Sequence, residues 1–165
     1  MRCLWPAFAR ALLGFVACAA GLAPAAYAAP PSVPVGRWFT ANHEAVIQIS
    51  PCGNKLCGQI VGIALAHPGD PMPMDWEGRP QCGETILETA PVADADTGST
   101  NWVGQVLDPR NGNVYQATIA LDGARHLLLH GYLGLPIFGQ TQTWDPYPGR
   151  TLADCRLAAV VASAG

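Results

Sequence analysis

The chain has 165 residues, of which 9 are Lys or Arg and 12 are Asp or Glu, and its formal net charge is −3 at pH 7. A chain of this length builds one domain with its own core. The acidic balance, without any cluster of basic residues, excludes nucleic acid and anionic membrane surfaces as expected partners.

The first 28 residues have the three-part layout of a secretory signal peptide. Arg2 and Arg10 supply positive charge, Ala11–Leu22 is an apolar run, and Ala26–Tyr27–Ala28 fits a small-x-small cleavage site. The apolar run is shorter than the roughly 20 residues of a membrane span, which disfavours the alternative of a retained anchor. We therefore expect cleavage near Ala28 and a periplasmic or secreted protein.

Cleavage at this position leaves 165 − 28 = 137 residues with a charge of 7 − 12 = −5, because the two arginines leave with the leader. No later apolar stretch of the sequence is long enough for a transmembrane span. We divide the chain into a signal peptide (1–28), a Pro-rich lead-in (29–34), a β-barrel domain (35–145) and a C-terminal tail (146–165).

Four cysteines remain after cleavage: Cys52, Cys57, Cys82 and Cys155. Export makes disulfides the expected state, and four cysteines allow three pairings. We favour Cys52–Cys57, which closes a short turn, and Cys82–Cys155, which ties the tail to the body. The alternative is a zinc site, since the first spacing is one that zinc tolerates, but no paired Cys or His follows at ligand spacing.

Three strands are predicted before the first long loop. A brief strand covers 36–40, and residues 45–50 alternate β-branched with polar side chains, as a half-buried strand does. Pro51–Cys52–Gly53–Asn54 is typical of a turn, and the chain returns over 56–65. Residues 45–65 thus predict a hairpin with a crosslinked turn.

Residues 66–83 show no strand or helix pattern because four prolines interrupt them. A loop of this length in a compact domain is often functional or mobile. A fourth strand is predicted over 85–90, followed by an acidic loop at 94–100. This loop matches a calcium-binding motif only at Asp94 and Asp96, so we interpret it as a solvated turn.

Four further strands are predicted over 102–107, 114–121, 127–133 and 138–144. Asn111–Gly112 is a dipeptide typical of hairpin turns, and Asp108 is expected to cap that turn. The last hairpin turns at Gly134–Pro136, and Trp144 at its far end is expected to close the sheet against Gly36–Trp38.

Eight strands in hairpin order, with no helix among them, predict an all-β fold. An antiparallel meander barrel is favoured because closure removes the exposed edges of an open sheet. Pro146 and Pro148 end the last strand. Thr151-x-x-Asp154 is similar to a capping box, so the tail is predicted to contain a short helix that Cys155 holds on the barrel.

Five short motifs, in order along the chain, resemble the bacterial family called domain of unknown function 2147. They are GRW at 36–38, PCGNKLCGQIV at 51–61, GRPQCG at 78–83, DPRNGNVY at 108–115 and GYLGLPIFGQTQTW at 131–144.

This resemblance covers about residues 35–145 and implies a calycin-like fold, that of lipocalins and fatty-acid-binding proteins. In lipocalins a Gly-x-Trp on the first strand packs near the barrel floor against a late basic residue. Gly36–Trp38 matches this pattern, whereas Asp145 follows Trp144 where the family usually has Thr-Arg. The resemblance therefore does not extend to a cation–aromatic contact at the floor.

No catalytic constellation is evident in the sequence. His126 and His130 would share one strand face about 13 Å apart, which is too far for one metal. The serines lie in no nucleophile-elbow motif, and no glycine-rich loop could cradle a phosphate. Enzymatic activity is not favoured, and we expect no cofactor and no metal.

The candidate ligand-binding residues are Trp38, Trp102, Tyr115, Tyr132, Phe138, Gln140 and Trp144. In one interpretation the aromatic residues fill the interior of a small barrel. In the other they line an apolar cavity whose polar groups are Gln105, Gln140 and Gln142, with the Trp76-containing loop 66–83 as a lid.

Three classes of function are considered. The favoured one is a periplasmic module that binds a small apolar or amphipathic, lipid-like molecule in or at the mouth of the barrel. The alternative is a structural or interaction protein of the envelope with a filled core and a partner of unknown identity. An enzyme that uses the mouth is the third.

Overall fold

The computed structural model describes residues 33–93, 100–123 and 125–157. These residues form one sheet of eight strands, closed into a barrel in chain order, with each neighbouring pair antiparallel. The antiparallel meander barrel predicted from the sequence is confirmed. The strands are β1 Gly36–Phe39, β2 Ala45–Cys52, β3 Lys55–Ile63, β4 Thr85–Ala93, β5 Thr100–Leu107, β6 Val114–Asp122, β7 His126–Tyr132 and β8 Gln140–Pro146.

Some predictions concern residues outside this description. The predicted signal peptide and the first part of the Pro-rich lead-in, residues 29–32, are among them. So are residues 94–99 of the acidic loop and residues 158–165 of the tail.

The barrel has a packed interior because the strands alternate apolar side chains with polar ones. Side chains directly opposite each other in an antiparallel pair lie on the same face of the sheet, so the pairing defines an inward row around the barrel. Trp38 is opposite Ile47, which is opposite Ile60 on the next strand. The most deeply buried inward side chains are Ile47, Ile49, Leu56, Leu87, Ile119 and Leu127.

The two ends of the sheet meet over a very short junction. β1 pairs with β8 through Trp38 opposite Pro146 and Phe39 opposite Asp145, so the predicted closure of the sheet at the first strand is confirmed. Because β1 ends at Phe39, residues 140–143 of β8 have no strand partner on that side within the described part of the chain. We call these four residues the β8 edge.

The tail after β8 contains no helix in its described residues, and the predicted C-terminal helix is wrong. The backbone of Cys155 has φ 58°, and its carbonyl accepts a hydrogen bond from the Ile63 amide at 2.6 Å. The Cys155 amide closes one turn on the Leu152 carbonyl, and the amide of Leu157 then donates to the Ile63 carbonyl, so the tail pairs with β3 and does not continue as a helix. A long-range disulfide at Cys155 holds it there, which a local capping pattern does not reveal.

The described residues contain two disulfides. Cys52–Cys57 closes the β2–β3 turn with a Cα–Cα distance of 5.8 Å, and Cys82–Cys155 joins the long β3–β4 loop to the tail with a Cα–Cα distance of 5.7 Å. The second bridge spans 73 residues. It therefore restricts the unfolded chain far more than the first, which spans 5.

One glycine marks a place where two strands approach too closely for any side chain. A Cβ at Gly104 would lie 2.7 Å from the Thr89 Cα and 2.8 Å from the Glu88 carbonyl carbon on β4. Backbone atoms cannot rotate away as a side chain can, so β4 and β5 would have to separate.

We expect Gly104→Ala to lower the free energy of unfolding by about 3 kcal/mol, because overpacking of this kind forces a backbone shift. Gly69→Ala is the matched control, since its Cβ would meet nothing within 4 Å and its backbone is not left-handed. Urea unfolding of both variants measures the difference. Equal stability of the two variants would contradict the close approach of β4 and β5.

Candidate functional site

The connections of the barrel lie at two different ends. In a meander barrel, alternate connections share an end, so the β1–β2, β3–β4, β5–β6 and β7–β8 connections lie together. We call this the loop end. Trp76 of the β3–β4 loop donates its backbone N–H to the Pro109 carbonyl at 3.0 Å, and its ring lies directly over Gly112. The long loop is therefore packed on the β5–β6 turn, where Asp108 caps the turn as predicted by accepting hydrogen bonds from Arg110 and Asn111.

Two of the predicted ligand-binding aromatics form the floor of the barrel. Trp38 and Trp144 are both buried in the core. The Trp38 indole N–H donates to the Pro34 carbonyl at 3.1 Å, and the Trp144 indole N–H donates to Gln142 Oε1 at 2.9 Å. Both rings thus have satisfied polar atoms and packed faces, and they fill space inside the barrel.

Trp102 and Tyr115 also face inward but are only partly buried. Trp102 lies opposite Ile119 and packs against the core, and Tyr115 lies opposite Val106. Tyr132, in contrast, lies opposite Gln116 on the outward face, beside the ring of His130 at 5.6 Å.

Gln140 lies at an inward position and is nevertheless exposed. It pairs with Gly131, and Gln142 pairs with the buried Leu129, which places both glutamines on the inward face of β8. They are exposed because the β8 edge has no neighbour on the β1 side in the described chain. Gln105, the third glutamine assigned to the cavity by sequence, pairs with Glu88 and Gln116 on the outward face, so that placement is wrong.

The β7–β8 connection carries the most exposed large apolar side chains of the described residues. We call Leu133–Phe138 the apolar tip. The exposed fractions are 64% for Leu133, 63% for Leu135, 82% for Ile137 and 77% for Phe138. Phe138 ends a 3-10 turn, Pro136–Phe138, so its predicted place on the last strand is wrong.

Sequence reasoning missed Leu133, Leu135 and Ile137 as candidate functional residues. The available signal was Gly134 and Pro136, which interrupt an apolar run at alternate positions. A run broken in this way is expected to leave the strand and form a turn, and turns usually lie at the surface.

His130 holds the apolar tip in place. Its Nε2 lies 2.9 Å from the Pro136 carbonyl, and its Nδ1 lies 2.9 Å from Thr141 Oγ1. A carbonyl oxygen can only accept, so Nε2 carries the proton in this contact. Within the tip, Phe138 N–H donates to the Leu135 carbonyl and Gly139 N–H donates to the Pro136 carbonyl. The conformation of the tip is therefore fixed by hydrogen bonds.

A charged cluster organises the β3–β4 loop. The buried carboxylate of Asp75 accepts hydrogen bonds from the Arg79 amide at 2.7 Å, the Glu77 amide at 2.9 Å and Arg79 Nε at 2.8 Å. Burial alone would raise the pKa of Asp75, but these hydrogen bonds and the Arg79 charge outweigh it and lower the pKa. The Arg79 guanidinium also lies 5.5 Å from the centre of the Trp76 ring.

Glu84 lies beside this cluster with an unsatisfied oxygen. Its Oε2 is buried without a hydrogen-bond partner, and its Oε1 lies 3.9 Å from Arg79 Nη2. Burial first, and then the negative charge of Asp75, raises the pKa of Glu84. Open cavities of about 310 and 280 Å³ flank the nearby Cys82; β3 and the tail line the first with this loop, and residues of the loop line the second.

The described residues contain no group of three His, Cys, Asp or Glu side chains placed to hold a metal ion. His43 Nε2 and His126 Nε2 each lie 3.4 Å from an oxygen of Asp145. All three side chains are substantially exposed, and ion pairs of this kind contribute little to stability.

No helix in the described residues is both long and apolar enough to cross a bilayer.

The opposite pKa shifts of Glu84 and Asp75 predict that pH changes their contributions to folding stability in opposite directions. Because the folded-state pKa of Glu84 is raised, the neutral side chain favours the folded state. This contribution to stability is fully present below pH 4.5, the ordinary pKa, and is lost as pH rises through the folded-state pKa. We expect Glu84→Gln to raise the melting temperature by about 3 °C at pH 8 and to leave it unchanged near pH 4.

Asp75→Asn is the matched control because the pKa of Asp75 is lowered. Its stabilisation is present above the ordinary value of 3.8 and is lost as pH falls through the folded-state value. This variant should melt below the wild type at pH 7, with a deficit that shrinks towards pH 3. Thermal unfolding between pH 3 and 8 measures both, and parallel profiles for the two variants would refute the assignment.

Comparison with known proteins gives a family and a fold. Residues 36–145 match the family model described as an uncharacterized protein conserved in bacteria, domain of unknown function 2147. A comparison with curated protein sequences finds no match. Among solved structures, the chain is similar to protein HP1028 from Helicobacter pylori, described as belonging to the lipocalin family. The TM-score is 0.50 and the identity 12%, over 68% of this chain and 82% of that one.

An identity this low shows a shared fold alone, here the lipocalin-like barrel. The family match extends over more than half of the chain, and it covers all eight strands except Pro146, the last residue of β8. The chain therefore belongs to the bacterial family known as domain of unknown function 2147.

Proposed function

We propose that this protein is an exported binding protein that takes up a small apolar or amphipathic, lipid-like molecule at the loop end of the barrel. The observation that carries this proposal is the exposure of two inward-facing glutamines, Gln140 and Gln142, directly after the apolar tip. Apolar surface with a few convergent polar groups is the usual composition of a small-molecule site.

The arrangement suits a molecule with two kinds of surface. An apolar chain could lie along Phe138 and the inward side of β8, while a polar group accepts or donates hydrogen bonds at Gln140. The packed Trp38 and Trp144 leave the floor filled, so binding is proposed at the mouth and not deep in the barrel. Trp102 and Tyr115, partly buried on the inward face, would line its inner limit.

The fold gives independent support. Lipocalin-like barrels are built around a mouth at one end, and eight strands leave an interior that is either filled or able to hold one small ligand. Two disulfides are consistent with an oxidising compartment, which supports the proposed export through the leader and a periplasmic location.

A second candidate is an envelope interaction protein without a ligand. Six large inward side chains are fully buried, which favours a filled core. In this case the apolar tip would serve a macromolecular contact alone. The two candidates differ in whether the inward face of the β8 edge is used.

We expect Gln140→Ala to weaken binding of a dansylated undecanoic acid about fivefold, because one neutral hydrogen bond contributes about 1 kcal/mol. Gln116→Ala is the matched control, since Gln116 is an exposed glutamine on the outward face of β6. Fluorescence titration measures both affinities. Equal affinities would remove the β8 edge from the site, and no uptake by the wild type would favour the interaction protein.

Export predicts that the chain recovered from a periplasmic extract begins at Ala29 with both disulfides formed. Its denatured intact mass should then be that of residues 29–165 less four hydrogens. A mass that retains the leader would contradict export by cleavage.

A further inference from the structure

The apolar tip belongs to an unusually uncharged part of the chain. From Leu127 to Trp144 there is no Asp, Glu, Lys or Arg. Four large apolar side chains of the tip are each more than 60% exposed. A patch of this kind on a soluble protein normally marks a surface that is covered by something else.

The tip does not relieve this exposure by folding back. The contacts of His130 with the Pro136 carbonyl and Thr141 fix the turn against β7 and β8. Its two internal hydrogen bonds fix the 3-10 turn itself. Because the turn is already ordered, its binding costs little further conformational entropy.

The neighbouring loops extend the apolar surface at the same end. Met74 and Trp76 of the β3–β4 loop and Val114 at the start of β6 are exposed. Charged groups beside them are paired with one another: Asp75 with Arg79, and Asp108 with Arg110. Glu77 and Glu84 share Arg79 with Asp75, so the loop end is apolar at its tip and carries more acidic than basic groups behind it.

We propose that the apolar tip docks the loop end on the surface of a lipid bilayer, with Leu135, Ile137 and Phe138 entering the boundary between headgroups and acyl chains. A single convex turn of large apolar side chains suits a fluid surface that closes around it. Burial of apolar side chains to a depth of about 5–10 Å is how peripheral elements bind such an interface. The tip carries no charge that would oppose entry.

The net negative charge of the protein indicates which lipid headgroups it would contact. The chain is acidic overall and has no basic patch, so anionic lipids offer it no attraction. Docking should therefore depend on apolar burial, and a zwitterionic surface should suffice. This inference goes beyond ligand uptake and does not require it.

The test is co-sedimentation of the oxidised mature chain, residues 29–165 without the apolar leader, with phosphatidylcholine vesicles in 150 mM NaCl. The wild type should bind, and the double variant Ile137→Ser/Phe138→Ser should lose at least tenfold in partition coefficient. Val92→Ser is the matched control, because Val92 is 49% exposed on β4 near the opposite end of the barrel. This control should bind as the wild type does, and binding should persist in 500 mM NaCl.

Three outcomes would overturn the proposal. The first is no binding of the wild type, and the second is equal binding of the double variant with an unchanged near-ultraviolet circular dichroism spectrum. The third is binding to phosphatidylglycerol vesicles alone that disappears in high salt. If the wild type instead avoids vesicles and forms a dimer that the double variant abolishes, a second copy of the chain covers the tip.

Discussion

The length of β1 is the constraint on which the rest of this structure depends. β1 has four residues, and two of them pair with β8. Two residue pairs close the barrel at the level of Trp38, where the ring is buried and its N–H is held by Pro34. Beyond that level β8 continues without a neighbour on this side in the described chain, so one wall of the barrel is lower than the other.

This asymmetry makes the inward faces of the two halves of the barrel chemically different. Near the junction the inward positions hold tryptophan, isoleucine and leucine, packed without exposure. Along the β8 edge the same inward row continues as Gln142 and Gln140, which meet solvent. An apolar residue at these positions would be exposed at a cost, whereas a glutamine is hydrated there and can exchange water for a ligand.

The tail packs on the outer face of β2 and β3. Leu157 packs on the outer side of Gly62, where any side chain would collide with it, and next to the buried Val46. The disulfide at Cys155 and the two backbone hydrogen bonds to Ile63 hold the tail in this position. β2 and β3 are therefore apolar on both faces at this point, one against the core and one against the tail.

The strands could be predicted from sequence because their signals are local. Alternation of apolar and polar residues and the turn residues at Gly53–Asn54 and Asn111–Gly112 placed all eight strands close to their observed bounds. The tail could not be predicted in this way, because its conformation depends on a partner 73 residues away, Cys82. Phe138 was misplaced because strand and turn both tolerate an apolar residue, and His130 decides between them from another strand.

The candidate site was predictable in composition but not in placement. Sequence alternation put Trp38, Trp102, Tyr115 and Trp144 on strands, where they lie. Which of them fill the floor and which approach the mouth depends on where β1 ends, and a four-residue strand has too few residues to reveal that. The outward position of Tyr132 follows from its pairing with Gln116, which only the register defines.

The proposed binding site is the loop end of the barrel and not the packed floor. The most direct measurement is an amide NMR titration of the oxidised chain with a short-chain lysophosphatidylcholine kept below its critical micelle concentration. We expect chemical-shift changes to concentrate on residues 130–143. Changes centred on Ile49 and Leu56 inside the barrel, or on the cavities around Cys82, would contradict it.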